Sequence, residues 1–530
     1  MRTLNVVLAV LVSLLIGFSV FEGGLRLTSF APVETGNRFD PALGWAKQPG
    51  AVVSSRGAEF NVELAFNEYG LRDDPMADPA KPDDVFRIVC LGDSFTLGYT
   101  VAREDLFVDL LEGWWQAEGR RIEIINAGVE GYSTDQAARW LALHGETFAP
   151  DLVLHFPYQN DIFWNGQKQY LRYPKPRYMP TGRPEARKLD EPAARPWTQE
   201  WATTIALGRL AGLLRGGKQG PEWFVPEGGD EPILREFAPL LVDPPAFLTD
   251  DPENPLGRTR GALQAMRDAA TNLGAELLVV PIPDQMDVDP DQAVRFGDET
   301  LRLHRTLWDP ARPVDLFLGE AQGLGIETLD VRSTFKALIA EGRKLYYRAD
   351  WHLNPSGNRA FARFLYNELD STQNDLLPPE FAAETKLSAP PSTPGDFPPF
   401  WLVLYGTLVF VLTSMYKLTY RSEALTAVLP RVAGMLALVF LVFLGGRALV
   451  VALPPDLGGV VLFLAFFGLF GFILFKLGRR VGTITELTLA FVKRGHWYLL
   501  PLLVVLLSIG SLLVVAASSP LVAPFIYTLF

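Results

Sequence analysis

Residues Ile88 to Leu91 open the stretch IVCLGDSFTLG and carry no charged or amide side chain. A strand of that composition has no face to turn to water, so it must sit in a sheet covered on both sides. Gly92, Asp93 and Ser94 come next, and Val101, Leu106, Phe107, Leu110 and Leu111 then recur at helical spacing. A serine where a strand turns into a helix lies at the carboxyl edge of the sheet, where open α/β folds place their ligands. Gly92 permits the sharp bend, and amides beyond Ser94, reinforced by the helix dipole, can face a developing negative charge. Ser94 is therefore either a nucleophile or an N-cap, a position that serine also favours.

Further apolar runs follow at Ile122 to Asn126, Asp151 to Phe156, Glu276 to Pro281 and Thr328 to Val331, with helical patterns between them. Gln136 to Leu143 reads as one helix, and Leu263, Met266, Ala270 and Leu273 mark another. Strands alternating with helices predict an α/β fold with a parallel sheet between two helical layers. The alternation lapses from Ile162 to Pro255, and the predicted insertion or lid spans 162–260. It is rich in Trp164, Tyr170, Tyr173, Tyr178, Trp197, Trp201, Trp223 and Phe224. Such rings beside Arg and Lys suit sugar rings or acyl chains, or pack the insertion onto the core. Residues 31–84, rich in Gly, Pro and Asn with a strand-like piece at Phe60 to Phe66, read as a packing arm.

At 530 residues the chain is long enough for about three units, and they differ in kind. Residues 4–21 form an uncharged apolar segment long enough to cross a bilayer, expected as a retained anchor within 1–30. Residues 376–398 are a Pro-rich linker. The tail, 399–530, holds four apolar spans near 400–416, 432–453, 458–475 and 498–519. Arg447 lies near the end of the second span and is read as snorkelling to the interface. Cations cluster between the first two spans (Lys417, Arg421, Arg431) and between the last two (Lys476, Arg479, Arg480, Lys493, Arg494). That bias puts both loops in the cytoplasm, so the domain from about 30 to 390 is expected outside a cell membrane, in a periplasm or at the cell surface. Of the net charge of -12, the tail contributes +6, leaving -18 on the rest. An acidic outer part excludes a nucleic-acid partner. Cys90, the single cysteine, excludes an internal disulfide and a Cys-based metal site.

A nucleophilic serine needs a base, and the chain has five histidines. His496 falls in a predicted cytoplasmic loop, His155 lies inside a strand, and His144 and His304 sit in helical patterns. His352 stands in the loop Asp350-Trp351-His352 just before a helical pattern at Asn358 to Leu369. Asp350 can accept the imidazole N–H and fix its tautomer, the part an acid plays in a Ser-His-Asp triad. No clustering of ligands at metal spacing supports a metal site, and no cofactor is expected.

Four blocks in this order resemble the SGNH (GDSL-type) hydrolases: Gly92-Asp93-Ser94-Phe95, Asn126-Ala127-Gly128-Val129-Glu130-Gly131, Gln159-Asn160-Asp161 and Asp350-Trp351-His352. The resemblance covers roughly 85–370 and implies a flavodoxin-like three-layer domain at 85–375. It implies Ser94 as nucleophile, His352 as base and Asp350 as its orienting acid. The oxyanion hole would be the Ser94 and Gly131 amides with the Asn160 side chain. Tyr158, Gln159 and Trp351 are the expected substrate contacts, and Tyr158 replaces a glycine usual in the third block. The single residue between Asp350 and His352 is similar to the branch acting on O-acetyl groups of envelope polysaccharide, including the alginate-acetylation proteins. That branch implies an esterase or O-acetyltransferase with a glycan substrate, and a membrane-bound O-acyltransferase as partner. A lipase acting on membrane lipids and a non-catalytic envelope assembly component are the rival readings.

Overall fold

β5 (Phe86–Gly92) is buried along its whole length and lies at the heart of a five-stranded parallel sheet. The computed structural model describes residues 35–194, 232–241, 254–295 and 308–370, apart from 58, 77 and 349, together with a few short pieces. The apolar segment at 4–21, the linker at 376–398 and the four tail spans lie, but for isolated positions, outside the described residues, as does His304. Among the described residues no helix is long and apolar enough to cross a membrane. The chain divides into two units, and the sheet and candidate site both belong to the one formed by Val33–Arg195 and Ala211–Lys386.

The other strands are β6 (Ile122–Asn126), β7 (Leu152–Phe156), β8 (Glu276–Val279) and β9 (Glu327–Thr328), in the order β9-β8-β7-β5-β6. β5, the first strand of this sheet along the chain, is flanked by the second and the third, so the winding reverses between β5 and β7. A crevice opens beyond the carboxyl ends of two strands where that happens, and ligands bind there. Strand alternation feeds two cores. On one face Val89, Leu91, Val153 and Val279 pack with α3 (Thr134–Phe148) and α5 (Pro255–Leu273). On the other, Phe156 meets Phe107 of α2 (Phe107–Ala117) and Phe361 of α8 (Pro355–Leu369) at 5.0 and 5.6 Å between ring centres. α6 (Arg312–Gly323) and α7 (Arg332–Ala340) flank β9 in the chain. The expected three-layer α/β architecture is what forms.

Local expectations are corrected in two places. The helical pattern after Ser94 is not one helix: α1 (Ser94–Leu97) stops at Gly98, whose φ of 70° is left-handed, and α2 starts only at Phe107. The insertion does not run to 260, because α5 begins at Pro255, capped by Asn254 through its bond from the Leu256 amide. Within the insertion, α4 (Asp161–Asn165) continues from β7, and a 3-10 helix spans Arg235–Leu240.

The predicted arm is two antiparallel hairpins, β1 (Asn37–Asp40) with β2 (Gly44–Lys47), and β3 (Val52–Arg56) with β4 (Asn61–Ala65). Trp45, 1% exposed, packs among Tyr132, Tyr170 and Tyr173. Arg72, equally buried, donates to the carbonyls of Leu97, Gly98 and Val101. A cation on the orphan carbonyls that end α1 is where the helix dipole favours positive charge.

Candidate active site

Ser94 emerges at the carboxyl end of β5 as the first residue of α1. Asp93 is the cap, its carboxylate accepting the Phe95 amide at 2.9 Å. That settles the first ambiguity: the serine hydroxyl is left to other work. The bend needs glycine on both sides. A Cβ on Gly92 would stand 2.1 Å from Thr96 Oγ1, and one on Gly128 would stand 2.4 Å from the Leu97 amide nitrogen. Asn126 ties these loops together, donating to the Thr96 carbonyl at 2.9 Å and accepting the Gly128 amide at 3.0 Å.

Ser94 Oγ lies 2.8 Å from His352 Nε2, and His352 Nδ1 lies 2.6 Å from Asp350 Oδ1. The histidine's backbone is pinned by the Tyr346–Leu353 bridge, its carbonyl accepting the Tyr347 amide at 2.9 Å. Asn354 then caps α8 by accepting the Gly357 amide. Phe95 stacks on the imidazole with ring centres 4.2 Å apart. The three groups expected to act together, separated by 258 residues of chain, therefore meet in hydrogen-bonded sequence.

A fourth group joins them that sequence reading missed. Tyr99 donates its phenol to Asp350, 3.1 and 3.2 Å from the two carboxylate oxygens, and stands 3.4 Å from His352 Nδ1. Burial, and then the Asp350 charge, push this phenol well above the usual tyrosine range, so it stays a donor. Its position just after Gly98 gave no sign that it reaches back to a residue 251 positions away.

A cavity of about 160 Å³ opens beside His352, lined by Phe95, Tyr158, Gln159, Asn160, Glu236, Phe237, Asp350 and Trp351. Asn160, expected as an oxyanion donor, is thus among the residues at the cavity. Tyr158 and Gln159 line it too, but their polar ends are engaged: the phenol donates to Asp284, as does Gln159 Nε2 at 2.9 Å. Burial pushes the Asp284 carboxyl up, opposed by the Tyr158 phenol and the Met286 amide. Trp351 lines the cavity with a left-handed φ of 69°, its ring 5.9 Å from Phe237. A bulky non-glycine residue in that region is strained, and such strain gathers at ligand sites. Burial likewise pushes Asp93 and Asp161, beneath the site, above the usual carboxylate range.

Gly131 is not part of the cavity lining; it sits in the loop after β6 at a φ of 73°, under the ring of Tyr170. The peptide leading into it is held from the arm. Trp45 Nε1 donates to the Glu130 carbonyl at 3.2 Å, and Asn37 and Lys47 hold the Glu130 carboxylate. In a planar trans peptide the N–H points opposite to the C=O, so the Gly131 amide is aimed away from Trp45.

Other expectations fall out as follows. His155 is fully buried, its Nδ1 near the Leu91 carbonyl, and burial lowers its pKa to about 4. His144 is half-buried against Trp140. Cys90 is a buried core residue. Among the described residues, no group of three or more His, Cys, Asp or Glu is placed to hold a metal.

Residues 246–404 match the family described as SGNH hydrolase-like domain, acetyltransferase AlgX, and residues 481–530 match a family of unknown function, DUF5989. The first match includes Asp350 and His352 and excludes Ser94, Gly131 and Asn160. No curated protein matches the chain. Similar solved structures include the acetyl xylan esterase AlAXEase, at 14% identity over 54% of this chain and 100% of that one, with a TM-score of 0.31. A lipase/acylhydrolase from Enterococcus faecalis is also 14% identical, over 54% of this chain and 95% of that one, at 0.29. The acetyl-xylooligosaccharide esterase Axe2 from Geobacillus Stearmophilus is 13% identical over 54% and 95%, at 0.28. Over residues 246–404, then, the chain is similar to the family described as SGNH hydrolase-like domain, acetyltransferase AlgX.

Proposed function

We propose that the protein is a serine esterase or O-acyltransferase that takes a small acyl group, acetyl above all, from or to a carbohydrate hydroxyl through an acyl-Ser94 intermediate. The observation that carries this is the sequence Ser94 Oγ, His352 Nε2, His352 Nδ1, Asp350 Oδ1, at 2.8 and 2.6 Å, beside a cavity at the winding reversal of the sheet. Ser94 Oγ attacks the ester carbonyl while its proton passes to His352 Nε2. Asp350 stabilises the imidazolium from the other side. Negative charge grows on the carbonyl oxygen, where the Ser94 and Gly131 amides and the Asn160 side chain are the donors the family resemblance supplies. Collapse expels the sugar oxygen, which takes the proton from His352. Water or a second sugar hydroxyl then attacks the acyl-serine by the same route in reverse.

Cavity size supports a short acyl group. A volume of about 160 Å³ falls below the usual range for drug-sized ligands, enough to enclose a short acyl group while the sugar ring stays partly outside. Its lining is polar and aromatic rather than a long apolar groove, which argues against a lipase. The match to a family described by an acetyltransferase points the same way.

The apolar segments and the charge bias of the tail loops support an extracytoplasmic catalytic unit anchored in the cell membrane. The envelope setting, and a membrane-bound acyl donor as partner, belong to this same proposal. The test is labelling by a fluorophosphonate probe together with acetate release, measured with and without oligosaccharide acceptor. Ser94→Ala and His352→Ala must abolish both; labelling that survives His352→Ala would refute the mechanism.

A further inference from the structure

Part of the cavity wall is built by the insertion. The 3-10 helix Arg235–Leu240 brings Glu236 and Phe237 to the same space that His352 and Trp351 line. Nothing in the triad chemistry uses these two side chains. On the esterase or acyltransferase reading, the sugar oxygen leaves from or arrives at His352, so the ring bearing that oxygen must lie against this wall.

The wall has a definite electrical character. Glu236 Oε2 accepts the Trp164 indole N–H at 3.2 Å, while Oε1 takes no hydrogen bond among the described residues. Of the lining residues, Glu236 and Asp350 are carboxylates, and none is lysine or arginine. The surface thus offers acceptors and negative charge. A ring hydroxyl satisfies both, whereas a ring carboxylate adds a like charge at short range, which is costly where water is scarce. Phe237 and Trp351, edge to face at 5.9 Å, add apolar ring surface for the C–H face of a sugar.

We propose that Glu236, Phe237 and Trp351 form the subsite for the sugar ring that donates or receives the acyl group, and that Glu236 makes this subsite select neutral, hydroxyl-rich rings over uronates. Glu236 contacts the ring rather than the reacting atoms, so it governs specificity. Its side chain is held by the same indole that packs against Tyr170, at 4.8 Å between ring centres, which fixes the carboxylate before substrate arrives.

The experiment uses the full chain in detergent, first titrated with a fluorophosphonate to count reactive Ser94. Acetate release is then measured on acetylated xylo-oligosaccharide and on an acetylated oligo-uronate of equal length. The wild type is expected to favour the neutral substrate at least tenfold in kcat/KM. Glu236→Gln, which keeps an acceptor for Trp164, is expected to shrink that preference at least tenfold. Phe237→Leu is expected to raise KM for the neutral substrate about fivefold with kcat within twofold. A wild type that prefers the uronate, or a preference unmoved by Glu236→Gln while Ser94 still labels, overturns the subsite and leaves the catalytic reading intact. Absence of Ser94 labelling in the wild type overturns the catalytic reading, and this inference with it.

Discussion

Replacing Trp45 by phenylalanine tests whether the arm aims the peptide on which the second oxyanion donor depends. The substitution removes one hydrogen bond, from the indole to the Glu130 carbonyl at 3.2 Å, and keeps an aromatic ring among Tyr132, Tyr170 and Tyr173. A neutral hydrogen bond has a net worth of about 0.5–1.5 kcal/mol. If all of it goes into holding the Gly131 N–H on the developing oxyanion, kcat falls about 2- to 13-fold at 25 °C. Outright loss of an oxyanion donor costs about 100- to 1,000-fold, so a larger fall means the loop has moved and not merely loosened. Because the donor acts on charge present only in the transition state, KM should stay within twofold. The assay is the burst of p-nitrophenol from p-nitrophenyl acetate in a stopped-flow instrument, with a thermal melt of the same sample. A variant that melts lower yet acylates at the wild-type rate refutes the reasoning, as does one whose only change is in KM.

Further outcomes are expected elsewhere. Asp350→Asn removes the acceptor that fixes the His352 tautomer, and acylation should fall by roughly four orders of magnitude, read by the same burst. Lys175, fully buried, holds Asp135 through both carboxylate oxygens at 2.8 Å. Lys175→Met should therefore destabilise the unit by about 3–5 kcal/mol in urea unfolding, and Lys175→Met with Asp135→Leu should recover much of that loss. Burial raises the Glu112 carboxyl from 4.5 to about 8, so the folded state holds its proton more tightly than the unfolded chain does. The stability this contributes is complete below about pH 4.5 and is lost as pH rises toward 8, by up to about 1.4 kcal/mol per pH unit. Glu112→Gln, still able to accept the Ile124 amide that Glu112 accepts at 3.0 Å, should flatten that fall in melting temperature between pH 5 and 8.

Most of the sheet was legible because its central strands are largely apolar runs between polar turns; Ile122–Asn126 forms over its predicted length, whereas the last strand, expected at Thr328 to Val331, forms at Glu327–Thr328. The helix after Ser94 was misread because Leu106, Phe107, Leu110 and Leu111 do repeat at helical spacing, while Gly98, which takes the left-handed cap, lies just ahead of them. The start of α5 was similarly announced by Asn254-Pro255, a cap followed by proline at the first helical position, and the pattern of apolar residues alone obscured it. His352 could be found by elimination among five histidines together with the nearby Asp350. Tyr99 and Glu236 could not. One reaches the acid of the relay across 251 residues, and the other comes from a stretch with no periodicity. Only tertiary folding gives either of them a neighbour.

The 258 residues between Ser94 and His352 also set a clock. A ribosome adding about 5–20 residues per second delivers the hydroxyl roughly 13–50 s before its imidazole. On the proposed mechanism, the nascent chain spends that interval with its nucleophile made and its base still to come. If Ser94 and His352 act together as proposed, reactivity arrives only with the closing helix, and the first turnover reports that the α/β unit has assembled.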